Sequence, residues 1–172
     1  AEQAHMSPQL LVTVAAGVFI LPFFLFSATA GQLADKYDRA RIARMVKLAE
    51  IALMALASIG FVTGNIWILM FLLFGMGTHS AFFGPVKYAI LPQHLKADEL
   101  LAGNAYVEAA TFLSILLGTI AGGLLVMAEG GEWVISIAIV SVAIAGYFAS
   151  RQIPEAPGPS PDLQVNPKFW SE

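Results

Sequence analysis

Five long apolar runs dominate the chain, at residues 10–33, 46–63, 66–83, 105–127 and 133–149. A hydrocarbon core about 30 Å thick is crossed by about 20 helical residues, and somewhat shorter runs suffice when flanking side chains reach for the interface. Each run therefore has the reach of a membrane span. The first is uncharged throughout, the second carries Lys47 and Glu50 near its start, and the third carries His79. In lipid, backbone polar groups are satisfied only within helices or around a closed barrel, and runs this continuous lack the alternation of barrel strands. The expected fold is all-α and integral to the membrane. Composition agrees, with 58% apolar and 12% charged residues, against about a quarter charged in an ordinary soluble domain.

The charges that remain are sorted by side. All nine basic residues fall in alternate connections: Lys36, Arg39, Arg41, Arg44 and Lys47 after the first run, Lys87 and Lys96 after the third, Arg151 and Lys168 after the fifth. The intervening loops hold Gly64-Asn65 without charge and residues 129–132 with acids alone. The positive-inside rule then puts the basic loops and the carboxy-terminal tail in the cytoplasm and the amino terminus outside. The first run is too long for the core of a signal peptide and follows no basic segment, so it is expected to span. An external amino terminus, an odd number of spans and no initiator Met at the start together suggest a further span before Ala1. Six spans with both ends cytoplasmic would result.

Residues 1–150 are thus expected to hold the transmembrane helices. Residues 151–172, with prolines at 154, 157, 159, 161 and 167, are expected to form an extended cytoplasmic linker between domains. A net charge of -3 and the lack of any basic stripe interleaved with aromatics argue against a nucleic-acid partner. The absence of cysteine excludes disulfides and thiolate metal sites. No metal or cofactor is expected.

Behind the first run stands Gly31-Gln32-Leu33-Ala34-Asp35-Lys36-Tyr37-Asp38-Arg39-Ala40-Arg41, a small residue, an acid and then a basic cluster. As chemistry, Gly31 allows two helices to approach closely, and Asp35 can accept hydrogen bonds from a helix terminus or an arginine and so latch one conformation. A basic loop of this kind also serves simply to set topology. The stretch resembles the loop signature of the Major Facilitator Superfamily, Gly-x-Leu-Ala-Asp-Arg/Lys-x-Gly-Arg-Arg/Lys, through Gly31, Leu33, Ala34, Asp35, Lys36, Arg39 and Arg41. Asp38 stands where the family has glycine. The resemblance implies five of the six helices of the amino-terminal bundle of a Major Facilitator fold, with Gly31, Asp35, Lys36, Arg39 and Arg41 as a conformational latch.

Three further stretches narrow the resemblance. Phe83-Gly84-Pro85-Val86-Lys87-Tyr88-Ala89-Ile90-Leu91-Pro92, then Gly103-Asn104-Ala105-Tyr106-Val107-Glu108-Ala109, then Leu116-Leu117-Gly118-Thr119-Ile120-Ala121-Gly122-Gly123 are similar to the bacterial lysophospholipid transporter family. That likeness implies a lysophospholipid substrate, membrane lipid as the other partner, a second transporter half outside this chain, and in some members fused acyltransferase and acyl-carrier-protein synthetase modules. Another efflux or uptake carrier of the superfamily, or a membrane domain that feeds such fused modules, is the alternative.

Lys87 lies between the helix breakers Pro85 and Pro92 in apolar surroundings, where it either snorkels to water or meets an anionic headgroup. Asn104 and Glu108 are four apart and share a face at the start of the fourth run, although an acid in a first helical turn is favoured by the macrodipole alone. Lys87, Glu108 and Asn104 are the candidate substrate-binding residues, with Glu108 the expected partner of Lys87 in the empty state. Lys47 and Glu50 read as a local interfacial pair. His79, a lone histidine in a span, could relay protons. Ser114, Gly118 and Gly122 make a small-residue stripe suited to helix packing, and Pro22 should kink the first span. His94 to Asp98 is one residue short of a His-x4-Asp acyltransferase pattern, and neither Gly-x-Ser-x-Gly nor His-Glu-x-x-His occurs. No catalytic activity is expected.

Overall fold

The computed structural model describes residues 7–165; Pro167 and Lys168 of the expected linker lie outside them. Among the described residues every regular element is helical: α1 (Pro8–Lys36), α2 (Arg39–Thr63), α3 (Ile66–Ala89), a single turn α4 (Leu91–His94), α5 (Leu100–Val126) and α6 (Gly131–Ser150). Five are long and apolar enough to cross a membrane: α1, α2, α3 with its following turn, α5 and α6. The chain folds as a multi-pass bundle.

Short polar connectors start and stop these helices. Ser7 caps α1, its hydroxyl accepting from the Leu10 amide at 3.3 Å, with Pro8 at the first helical position. Asp38 caps α2 by accepting from the Arg41 amide at 2.7 Å. Asn65 caps α3, accepting from Trp67 at 3.0 Å and Ile68 at 3.2 Å. Each cap satisfies amide donors that the first turn leaves open.

Helices outrun the apolar segments at the basic end. α2 begins at Arg39 rather than near Val46, α3 continues to Ala89, and α5 begins at Leu100. Helical hydrogen bonding does not stop where the hydrocarbon does, so charged turns extend the spans into the interface. α1 runs through Pro22 as one helix, with Pro22 buried against α3.

α1 packs along α3, and α2 lies between α3 and α6. Their contacts are built from small residues, including Ala30, Ala34, Ala43, Ala57, Ala81 and Ala143, while Phe24, Phe71, Phe112 and Val142 point outward. This is the arrangement expected where lipid solvates large side chains and close backbone approach provides dispersion contacts. α1 and α3 approach closely at Gly77, where a Cβ would overlap the Phe19 carbonyl oxygen and lie 3.0 Å from Pro22 Cγ.

The sequence pattern points instead to close approach at Gly31 and along the stripe of α5. A Cβ at Gly31, Gly118 or Gly122 meets nothing within 4 Å. Gly31 lies between the buried Ala30 and Ala34 but on a face of α1 that meets no neighbour among the described residues. α5 has no buried residue and touches mainly α6 and the short turn α4, so its stripe finds no partner among the described residues.

Candidate functional site

At the basic end, the ends of α1 and α3 and the start of α2 converge on Arg39. Its side chain is nine-tenths buried and donates three ways: Nε to the Ala34 carbonyl at 3.0 Å, Nη1 to the Ala89 carbonyl at 3.1 Å, and Nη2 to Asp35 Oδ1 at 3.3 Å. The last carbonyls of a helix have no partners of their own, and a guanidinium fork supplies donors to two helices at once. Arg39 therefore ties α1 to α3 from the first residue of α2. A small apolar cluster of Ala34, Ala43 and Val86, flanked by Ile42, Phe83, Ile90 and Ile153, lies under it.

Of the five residues expected to form the latch, the structure joins Asp35 and Arg39 directly. Lys36 ends α1, with its ammonium 5.6 Å from the Tyr37 ring centroid. Arg41 is exposed, and its backbone amide meets the Asp38 cap. Gly31 makes no close helix contact. The centre of the arrangement is Arg39, not Asp35, because Arg39 alone reaches three groups on two helices.

Asp38, the departure from the family pattern, has two tasks. Oδ1 caps α2, and Oδ2 accepts from the Ala156 amide at 2.9 Å, while the Arg39 amide donates to the Ala156 carbonyl at 2.8 Å. The segment after α6 is thus seated on the loop. Arg44 Nη2 donates to the Ile153 carbonyl at 2.7 Å, Gln93 Nε2 to Pro157 at 2.8 Å, and the Ser160 amide to Asp35 at 2.9 Å. Ala156 is fully buried. Gly158 passes so close that a Cβ would overlap the Asp35 carbonyl oxygen. Within the expected linker, residues 153–160 are docked on the loop, because proline leaves few amides to satisfy and the loop supplies partners for the rest. A chain-local reading shows the Asp as a helix cap, but its second acceptor finds a donor 118 positions away.

Lys87 sits near the end of α3, half-buried. Its ammonium donates to Thr111 Oγ1 of α5 at 3.2 Å and lies 4.7 Å from the Tyr88 ring centroid. The expected pair with Glu108 is not formed among the described residues. Thr111 lies one turn further along α5 than Glu108 and takes its place. Asn104 is exposed and spends its amide on the Leu100 carbonyl at 2.8 Å. Lys87 is left with neutral partners only among the described residues.

Deeper in the bundle, Lys47, Glu50 and His79 meet. Lys47 Nζ is 2.7 Å and His79 Nε2 3.0 Å from the same oxygen, Glu50 Oε2. The pair expected from the sequence is formed and largely enclosed, and the histidine that looks solitary along the chain lies against it.

With this geometry in hand, comparison decides the family. The Major Facilitator Superfamily profile matches residues 1–172. The chain belongs to the Major Facilitator Superfamily. Within the superfamily it is similar to the lysophospholipid transporter LplT of Escherichia coli O1:K1, 33% identical over 167 residues that cover 95% of this chain and 39% of the relative. It is likewise similar to LplT of Salmonella paratyphi B, 32% identical over 153 residues, 83% of this chain and 35% of the relative. The chain therefore spans well under half the length of these curated Major Facilitator relatives. No solved structure matches it.

Proposed function

We propose that the chain is the amino-terminal part of a secondary transporter, rather than an enzyme, that moves lysophospholipids across the bacterial inner membrane by alternating access. The observation that carries the reading is the similarity to relatives named as lysophospholipid transporters over nearly the whole chain. In this reading the basic end faces the cytoplasm, residues 151–172 lead to a second half, and the bundle rocks against that half around a central cavity. Arg39 and Asp35 hold α1 and α3 together as one moving unit, and the rest of the latch motif, Gly31, Lys36 and Arg41, flanks them.

Lys87 is assigned to the substrate phosphate. A half-buried ammonium with a hydroxyl and a ring for company has capacity for an anion, and a phosphodiester provides a fixed negative charge. Glu108 and Asn104, one and two turns back from Thr111 on α5, border the approach to it.

The test is lysophospholipid uptake by the complete transporter in proteoliposomes at matched expression. A hydrogen bond to a charged group is worth about 1.5–3 kcal/mol, so Lys87→Ala is expected to reduce uptake at least about tenfold. Lys87→Arg is expected to keep part of it, since charge survives while geometry changes. Equal uptake by wild type and Lys87→Ala removes Lys87 from the substrate site, and a wild-type protein that moves no lysophospholipid overturns the substrate.

A further inference from the structure

A polar hollow of about 270 Å³ opens at the basic end between the α1–α2 loop and the docked segment after α6. Lys36, Asp38, Arg41 and Arg44 form one wall, and Glu155 and Gly158 stand on the other. Three cations there face two carboxylates, and the balance is more positive than the count suggests. Both Asp38 oxygens are committed to backbone amides, those of Arg41 and Ala156, and Glu155 is exposed. None of Lys36, Arg41 and Arg44 forms an ion pair among the described residues. Arg44 gives Nη2 to the Ile153 carbonyl at 2.7 Å, while its Nε is enclosed and has no hydrogen-bond partner among the described residues. Enclosed donors are ordinarily satisfied, so a bare one on a residue that lines a polar hollow points to an acceptor from outside the chain.

An apolar groove adjoins the hollow at Arg41, which borders both. The groove measures about 440 Å³ and is otherwise lined by Leu33, Tyr37, Ile42, Met45, Val46 and Phe82. Val46 is about 8 Å beyond Arg41 along α2 at 1.5 Å per residue. Basic walls thus give way to apolar ones over about the thickness of one headgroup layer. An arginine, with its apolar stem and charged end, suits that boundary. Free phosphate would use the hollow alone, whereas a phospholipid matches both the cations and the apolar groove beside them.

We propose that the hollow binds the phosphate of a membrane phospholipid with a net negative headgroup, one acyl chain lying in the groove, as a structural lipid distinct from the transported one. The inference rests on the reading that the basic end meets the cytoplasmic leaflet, which supplies the lipid. Attraction to three cations outweighs repulsion from Glu155 and from an Asp38 already turned to two amides. Lys87 and Thr111, assigned to the substrate, line neither space. A phosphate held between loop and segment fastens one to the other, so the anionic lipid content of the membrane sets how firmly the chain after α6 is docked.

The test uses the complete transporter, delipidated in detergent and then offered dioleoyl phosphatidylglycerol or dioleoyl phosphatidylcholine, which differ in net charge and share their chains. One cation beside an anionic surface is worth about a factor of five, so native mass spectrometry is expected to show a preference for phosphatidylglycerol of at least about tenfold. Arg41→Gln, at an exposed position, is expected to lower that preference about fivefold, and Lys36→Gln with Arg44→Gln to remove the rest. Lys96→Gln and Arg151→Gln, exposed at the same end but outside the hollow, are expected to leave it unchanged. Equal binding of the two lipids, or the same loss in Lys96→Gln as in Arg41→Gln, overturns the site. Hydrogen exchange gives a second readout: phosphatidylglycerol is expected to slow exchange of the Ala156 amide several-fold in wild type and not in Arg41→Gln. Inorganic phosphate that slows it as well as the lipid does overturns the lipid as occupant. No arm needs transport, so a protein that moves no lysophospholipid fails the substrate reading while the lipid site is still decided by binding.

Discussion

Replacing Arg39 should expose how the basic end is held. Its bonds to the Ala34 and Ala89 carbonyls, at 3.0 and 3.1 Å, are buried and charge-assisted, each worth about 1.5–3 kcal/mol. The third, to Asp35, is longer at 3.3 Å, and the Asp35 side chain is 54% exposed, so solvent screening reduces it to about 1 kcal/mol or less. Arg39→Met removes all three and leaves two carbonyls in an apolar setting, an expected loss of about 3–5 kcal/mol after allowing for non-additivity. Arg39→Lys keeps the charge but not the fork, and a single ammonium cannot reach both helices, so about 1–3 kcal/mol is expected. Asp35→Asn should cost about 1 kcal/mol or less. The assay is equilibrium unfolding of the complete protein in mixed micelles of rising sodium dodecyl sulfate content. The order of damage Arg39→Met, then Arg39→Lys, then Asp35→Asn is expected. If Asp35→Asn proves as damaging as Arg39→Met, the latch is an ion pair and the two-helix tie is wrong.

Asp38→Ala loses both the α2 cap and the tether to Ala156, at a cost of about 1–2 kcal/mol; limited proteolysis should then cut within residues 153–160 faster than in wild type, and an unchanged cutting rate would show that the segment is held without Asp38. Gly77→Val should destabilise the bundle by about 1–3 kcal/mol because its side chain collides with the Phe19 backbone, whereas Gly118→Ala, which meets nothing within 4 Å among the described residues, should leave an isolated fragment of these helices unchanged; similar losses at both would place the close approach elsewhere. Cysteines placed at Asp38 and Ser160 should react with an impermeant reagent only from the cytoplasmic side and one at Gly131 only from outside. Labelling of Asp38 and Gly131 from the same side of intact cells would invert or discard the assigned orientation.

Span number, helical class and family are all legible in the amino-acid sequence. They depend on properties local to each segment: an apolar run of bilayer length allows one backbone solution, and the Gly31-to-Arg41 signature is contiguous. Lys47 and Glu50 are also visible as a pair, since residues three apart on a helix are always neighbours. Other expectations fail where the neighbour is remote. Gly31 and the Gly118–Gly122 stripe have the right residues for close packing, but which glycine is used depends on how two helices meet, and between α1 and α3 it is Gly77 that faces a neighbouring backbone. Charge matches Lys87 with Glu108, and a difference of one turn on α5 delivers Thr111 instead.

By itself, then, the sequence determined the solvent, the secondary structure and the superfamily, because these follow from hydropathy, length and short-range spacing. Only the tertiary structure decided that Arg39 bridges the ends of α1 and α3, that residues 153–160 lie docked on the α1–α2 loop, and that His79 joins Lys47 and Glu50. Each of these depends on the rotation and depth of one helix against another. In a bilayer, apolar faces are satisfied by lipid at almost any rotation, so hydropathy leaves that register open, and small-residue contacts and buried polar groups settle it.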